Sequence, residues 1–356
     1  MSGFDKIAGS SKAGIDRLLY VYHPRTWREK GLMWTAGLML ATYVVVVGVL
    51  WFIWDNKPAP FDVRAIALAA ANGDANKLVP GFLTTAVVVH TAETLLDKPG
   101  GYLSNDRTPP GVLMDNMPNW EFGVLTELRD VVRALRNDFA RAQTQSVEDR
   151  DLQAAEPRFN FDNNSWILPS SESEYRAGIA ALKSYLTRLA DDKIHDGQFF
   201  TRADNLRDYL ATVEKRLGSY SQRLSASVGQ ERVNTNLAGD PAAHQSTTTP
   251  ELMRVQTGWL EIDDNFYEAR GYCWALIHTL RAIEIDFRDV LVGKNAVVSL
   301  RQIIHELEST QQPVWSPLIL NGTGFGIVAN HSLIMASYIS RANAAIIDLR
   351  SLIAQG

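Results

Sequence analysis

Four carboxylates crowd the start of one predicted helix: Glu261, Asp263, Asp264 and Glu268. Asp264 and Glu268 are four positions apart, so a helix places them on the same face. A glycan-cleaving enzyme needs only two carboxylates, one on either side of the bond that it breaks. Acidic residues in a first turn also stabilise the positive end of the helix dipole, which is the interpretation we prefer. Asp264 and Glu268 remain the catalytic candidates of the alternative, a peptidoglycan hydrolase.

Other catalytic signatures are absent from the sequence. The seven histidines form neither the H-E-x-x-H zinc pattern nor the E-x-x-H di-iron pattern. The single cysteine, Cys273, has no disulfide partner in the chain and no activating base near it in sequence. Glycines 322, 324 and 326 precede a helix but lack the strand and the lysine of a phosphate-binding loop, which favours a loop and helix cap. The sequence therefore predicts no metal, no cofactor and no covalent chemistry.

Tryptophan, together with Asn, Asp and Pro, marks three connectors outside any obvious helix: residues 111–123, 159–175 and 314–331. Aromatic rings beside loop prolines usually cover a core, and we prefer this interpretation for all three connectors. The alternative is a binding patch, for which Trp120, Trp166 and Trp315 are the candidates.

Helices must position these residues, because apolar side chains recur every three or four positions after the first 76 residues. Two stretches show alternating steps of four and three: Leu206, Leu210, Val213, Leu217, Tyr220, Leu224, and Met335, Ile339, Ala342, Ile346, Leu349, Ile353. Such a seam is typical of long antiparallel or coiled-coil helices. We predict an all-α fold, with an exported bundle of about six to seven helices. Ser171, three residues before Glu174, and Asn330 are the predicted helix caps.

Residues 33–54 contain no charged side chain and are flanked by tryptophans, Trp34 at one end and Trp51 and Trp54 at the other. About 22 helical residues at ~1.5 Å each span the roughly 30 Å hydrocarbon core of a bilayer. The run continues into Asp55 and lacks the small-residue cleavage site of a signal peptide. We predict an uncleaved transmembrane helix.

The charged residues on either side of the transmembrane helix predict its orientation. Residues 1–32 carry six Lys and Arg side chains, whereas the first 20 residues after the helix carry only Lys57 and Arg64. The positive-inside rule then places the N-terminus in the cytoplasm and the large domain in the periplasm. The basic tail either lies along the anionic leaflet or is a disordered stub that sets topology.

Composition excludes other classes of protein. With 46% hydrophobic and 21% charged residues the chain is globular, and a net charge of −5 gives no reason to expect nucleic acid as a partner. We divide it into a tail (1–32), a transmembrane helix (33–54), a linker (55–76), a first helical block (77–231), a crossover (232–258) and a second helical block (259–356). The crossover is rich in Gly, Pro, Ser and Thr. It either separates two subdomains or joins two hairpins of one bundle.

Several unusual runs resemble one bacterial family. They are AETLLDKPGGYLSND from residue 92, DNMPNWEFG from 115, FNFDNNSWILPSSESEY from 159, QRLSASVGQ from 222, KNAVVSLRQIIHELE from 294 and ISRANAAIIDLR from 339. Together they are similar to the domain-of-unknown-function family DUF2333, across nearly everything after residue 54. The resemblance implies a Gram-negative bacterium and an envelope location, and it carries no activity or catalytic residue.

The sequence thus leads to three functional hypotheses. We favour an inner-membrane-anchored periplasmic protein with a structural or scaffold role, whose partners are the bilayer and other envelope proteins or copies of itself. The alternative is the carboxylate-dependent hydrolase. A ligand-sensing subunit is the third, and it would have to relay through a partner, because about 32 cytoplasmic residues are too few for an output domain.

Overall fold

The computed structural model describes residues 20–142, 146–191, 196–234, 252–316, 318–323 and 326–355. The chain forms two compact units, 1–54 and 55–356. The described residues form twelve helices and one pair of short strands, which confirms the predicted all-α fold.

The first unit contains α1 (Pro24–Lys30) and α2 (Leu32–Trp54). Gly31, at φ +85°, separates the two helices, and the amide of Arg25 donates to Nδ1 of His23 (3.2 Å) to cap α1. The 23 residues of α2 extend about 35 Å at ~1.5 Å each, and none of them is charged or buried. The helix is therefore long and apolar enough to span a membrane.

Ten helices belong to the second unit: α3 (Val63–Ala70), α4 (Phe82–Asp97), α5 (Asn116–Ala134), α6 (Arg150–Phe159), α7 (Ser171–Leu189), α8 (Ala203–Ser225), α9 (Ile262–Asp286), α10 (Arg288–Gly293), α11 (Val297–Ser309) and α12 (His331–Ala354). Single turns of 3-10 helix lie at Ala75–Lys77, Gly111–Leu113, Ala226–Val228 and Trp259–Glu261, and α5 continues as a π-turn, Leu135–Phe139. Of these helices, α3 and α6 were not predicted from the apolar spacing.

At the centre of the second unit α5 and α9 lie side by side with very little space between their backbones. A Cβ atom at Gly123 would lie 2.0 Å from the carbonyl oxygen of Glu268, and one at Gly271 would lie 2.0 Å from that of Trp120. Glycine at both positions lets the two helices approach this closely. Because α5 and α4 precede the crossover and α9 follows it, the two predicted helical blocks share one core.

The helices α8 and α12 pack along the predicted seam. They run antiparallel, since Glu214 pairs with Arg350 and the Ser221 hydroxyl contacts that of Ser340 (2.5 Å). All twelve apolar positions of the two stretches are at most 3% exposed. Burial of a stripe on each helix is what holds this pair together.

The ends of the predicted crossover are ordered strands, which corrects the expectation of a loop over 232–258. Strand β1 (Gln230–Val233) pairs antiparallel with β2 (Leu252–Val255), with Val233 opposite Leu252. Seven of the eight side chains are exposed, so the strands show no alternation of apolar and polar residues that would reveal them. Residues 235–251, the interior of the crossover, lie outside the described residues.

Two details of the sequence-based helix boundaries were wrong. Ser170, rather than Ser171, caps α7 by accepting from the amide of Ser173 (3.3 Å). Residues 116–123, expected in a connector, form the first turns of α5 although Pro118 lies among them. Proline is tolerated there because the first amides of a helix need no intrahelical partner. The cap at Asn330 is confirmed, since its side chain accepts from the amide of Leu333 (2.8 Å).

Candidate functional site

The two candidate catalytic carboxylates lie in the first two turns of α9 but contact different helices. Nδ2 of Asn119 on α5 donates to Asp264 Oδ1 (2.6 Å). Glu268 accepts from the Tyr220 hydroxyl (3.1 Å) and pairs with Arg223 (2.7 Å), both on α8. The two carboxyl groups are therefore held by different helices, α5 and α8.

The protonation of Asp264 is unusual for an aspartate. Burial, followed by the nearby negative charge of Asp263, raises its pKa to about 6. Glu268 is ion-paired with Arg223. A carboxyl of raised pKa one turn from an ion-paired one resembles the division of roles in acid–base enzymes, and it also arises in structural networks.

A second carboxylate cluster, which the sequence analysis missed, is fully buried on α5. The Tyr209 hydroxyl donates to Glu127 Oε1 (2.6 Å), and Arg216 holds Asp130 through two bonds of 2.7 and 3.0 Å. Burial raises the pKa of Glu127 to about 8, so it carries a proton at neutral pH. The sequence contains one sign of this cluster, because Glu127 lies at helical spacing within the apolar face of α5.

A third buried group joins α5 to the connector that follows α4. Lys98 and Glu121 form an ion pair with side chains 1% and 0% exposed. Glu121 also accepts from the amides of Leu103 and Ser104, each at 2.8 Å. Because the carboxylate is fully engaged by this connector, the pair acts as a structural staple rather than a reactive site.

The structure separates the three candidate tryptophans. Trp120 is completely buried on α5, with its ring 5.2 Å from that of Trp274, as the core-covering interpretation expects. Trp166 and Trp315 lie in connectors and are 58% and 92% exposed. The core-covering interpretation is therefore wrong for Trp166 and Trp315, whose rings are open to a partner.

Trp166 belongs to an exposed apolar tip, which we define as residues Trp166, Ile167 and Leu168. All three side chains are more than half exposed. The base of the tip is held by hydrogen bonds: the amide of Ser171 donates to the carbonyl of Ser165 (3.0 Å), which also accepts from Nδ2 of Asn105 (2.8 Å). Three successive apolar side chains are thus presented on a well-supported loop.

Trp315 lines a groove of about 280 Å³ between α9 and α12. Its walls are largely apolar and include Phe266, Val314, Ile334, Met335 and Tyr338. Arg270 and His331 add polar groups. We call this the α9–α12 groove, and neither Asp264 nor Glu268 lines it.

The described residues contain no group of three or more His, Cys, Asp or Glu side chains placed to hold a metal ion. His195, His244 and Gly324 lie outside them. Cys273 is buried, which raises the pKa of its thiol to about 12 and keeps it protonated. The backbone of Gly322 bonds to Ala329 (3.0 Å), in agreement with a loop and helix cap.

A family model described as an uncharacterized protein conserved in bacteria, DUF2333, matches residues 27–356. No curated protein and no solved structure matches the chain.

Proposed function

Since the chain belongs to the bacterial family DUF2333, whose description assigns no activity, we propose its function from its own residues. We propose a non-enzymatic scaffold of the cell envelope, anchored in the inner membrane by α2, which presents its helical domain to other proteins in the periplasm. The length and apolar surface of α2 support the anchor, and the excess of Lys and Arg before it supports the orientation.

One observation carries the interaction role: the exposed apolar tip. Single exposed apolar residues are common on protein surfaces, but three in a row on a loop held by hydrogen bonds are costly to leave in water. Interfaces gain most of their energy from a few such anchors, with tryptophan strongly represented. Arg107 donates to the carbonyl of Asn164 (3.2 Å) beside the tip, supplying the polar rim that such surfaces have.

The test is photocrosslinking in cells. A photoreactive phenylalanine derivative replaces Trp166 in the full-length protein, and the adducts are identified by mass spectrometry. Val298, 75% exposed on α11, is the matched control position. We expect a discrete protein adduct, either an envelope protein or a second copy of the chain, from position 166 and none of that mass from position 298. Equal capture at both positions, or none at 166, would contradict the proposal.

The hydrolase remains a second candidate on the strength of one observation, the raised pKa of Asp264 beside Glu268. In that case Asp264 is the general acid and Glu268 the base or nucleophile. The hydrogen bonds that tie these carboxyls to α5 and α8 favour the scaffold instead.

A further inference from the structure

Arg270 is a partly buried cation that has no carboxylate partner among the described residues. Two other charged residues of α9 are ion-paired: Glu268 with Arg223, and Arg281 with Glu308 (2.6 Å). Arg270 instead donates through one nitrogen to the carbonyls of Gln311 (2.9 Å) and Gln312 (2.8 Å). Burial lowers its pKa, and within the described part of the chain no carboxylate offsets the loss of solvation.

The surroundings of Arg270 are apolar and open. It lines the α9–α12 groove, where Trp315 is 92% and Ile334 is 53% exposed. Tyr338 and Met335 continue the apolar wall along α12. The groove therefore combines one guanidinium, with donors to spare, and a surface on which an aliphatic chain can lie.

We propose that the α9–α12 groove binds an anionic amphiphile, with the acidic oxyanion of the head group on Arg270 and the acyl chain across Trp315 and Ile334. A guanidinium pairs with carboxylate or phosphate oxygens through parallel, charge-assisted hydrogen bonds. The cavity of about 280 Å³ is slightly smaller than the roughly 300 Å³ at which small-molecule sites begin. The groove therefore takes the head group and the first part of the chain rather than a whole lipid.

Chain connectivity supplies the source of such a ligand. Lys57 follows Trp54, the last residue of α2, by three positions, which is at most about 11 Å of extended chain. The Lys57 ammonium lies 4.3 Å above the ring of Tyr267, which precedes Arg270 by three residues on α9. If α2 crosses the membrane, as the proposed function requires, this end of the domain is within reach of lipid. The affinity of the groove for an anionic amphiphile does not depend on the anchor.

The full-length protein in phosphatidylcholine nanodiscs tests the proposal. Three diazirine-bearing probes are compared: a C16 fatty acid, a phosphatidylglycerol and, as the uncharged control, a C16 alcohol. We expect light-dependent labelling within 309–316 or 331–338 by one or both acidic probes. The alcohol should label at least about tenfold less at equal concentration, because it cannot pair with Arg270. Labelling by the fatty acid or by the phospholipid identifies which of the two the groove prefers.

Variants separate binding from folding. Arg270→Gln should lower labelling by about tenfold, but it also removes bonds to the backbone at Gln311 and Gln312. Ile334→Glu avoids this difficulty, since it places a negative charge at an exposed position in the first turns of α12 and should abolish labelling in a folded protein. Ile347→Glu, 45% exposed on the same helix, is its control and should label normally.

Equal labelling of the groove segments by acid and alcohol, labelling of residues 55–356 only outside these segments, or normal labelling of folded Ile334→Glu would each overturn the proposal. Labelling of α2 by probes dissolved in the bilayer is expected and does not count. The proposal would also be wrong if a photoreactive residue at position 334 captured a polypeptide while the acidic probes left the groove unlabelled. None of these results bears on the apolar tip, so the groove and the scaffold proposal fail independently.

Discussion

Lys98 and Glu121 form an ion pair in the interior of the helical domain, where neither side chain has appreciable contact with water. Replacing Glu121 by alanine should therefore lower the free energy of unfolding by roughly 3–5 kcal/mol, because it leaves a buried ammonium without its carboxylate. Urea denaturation of the variant measures the loss. Asp97→Ala breaks the pair with Arg176, in which both side chains are more than half exposed, and should cost less than about 1 kcal/mol. Equal losses would mean that the buried pair contributes no more than a surface one.

Glu127 predicts a specific pH dependence of stability. Burial raises its pKa to about 8 from an ordinary value of 4.5. Between these values the unfolded chain loses this proton while the folded protein keeps it, so the contribution of Glu127 to stability falls as pH rises. Glu127→Gln cannot ionise and keeps an oxygen for the Tyr209 hydroxyl. The unfolding free energy of the variant, relative to the parent, should increase from pH 5 to pH 8. A difference between variant and parent that stays constant from pH 5 to pH 8 would contradict the prediction.

The two kinds of tryptophan should differ in stability when truncated. Trp120→Ala removes a completely buried ring and should cost roughly 3–5 kcal/mol, whereas Trp166→Ala and Trp315→Ala change exposed side chains and should stay within about 0.5 kcal/mol. Thermal denaturation of the three variants measures these losses of stability. A large loss at Trp166 would show that the apolar tip is covered by the domain itself, and would remove it as a docking surface.

The carboxylates of α9 should be dispensable if the protein is a scaffold. Asp264→Asn and Glu268→Gln are expected to keep the photocrosslink from position 166 and to leave the release of soluble fragments from purified peptidoglycan at the background level. Both variants must be folded and normally abundant for the comparison to count. If the parent protein releases fragments and either amide variant does not, the protein is a hydrolase and the scaffold proposal is wrong.

Orientation is tested with reporters at the C-terminus. Alkaline phosphatase fused after Gly356 should be active, and a cytoplasmic fluorescent protein at the same place should be dark, because the basic residues before α2 are expected to stay in the cytoplasm. The opposite pattern would place the helical domain in the cytoplasm.

The helices that the sequence predicted best are those with a continuous apolar stripe. Along α8 and α12 every predicted seam residue is buried, because the spacing of such a stripe can be read within one segment. The start of α5 was missed because residues 111–123, with Pro118 among them, were assigned to a connector, although the first turn of a helix tolerates proline. Elements as short as α3, with 8 residues, and β1, with 4, are too short to show a repeating pattern of apolar positions.

The candidate site was less predictable, because its parts are defined by contacts between distant segments. Trp120 and Trp166 have similar neighbours in sequence, yet one fills the core and the other is exposed. Among the described residues no carboxylate pairs with Arg270, and the spacing of residues along the chain gives no sign of this, because it depends on contacts between distant segments. Asp264 and Glu268 were predicted to share one face of a helix, but they bond to different helices. Asp264 accepts from Asn119 of α5, and Glu268 pairs with Arg223 of α8.

The pairing of β1 with β2 makes this protein a convenient host for a guest domain. Val233 and Leu252 face each other across the ladder, so their Cα atoms are held roughly 4.5–5.5 Å apart whatever the intervening residues do. A fluorescent or enzymatic domain whose own termini are adjacent could replace 235–251 with short spacers. The helices α8 and α9 would not have to move to accept it. An internal label would then follow the protein in living cells while leaving both ends of the chain native.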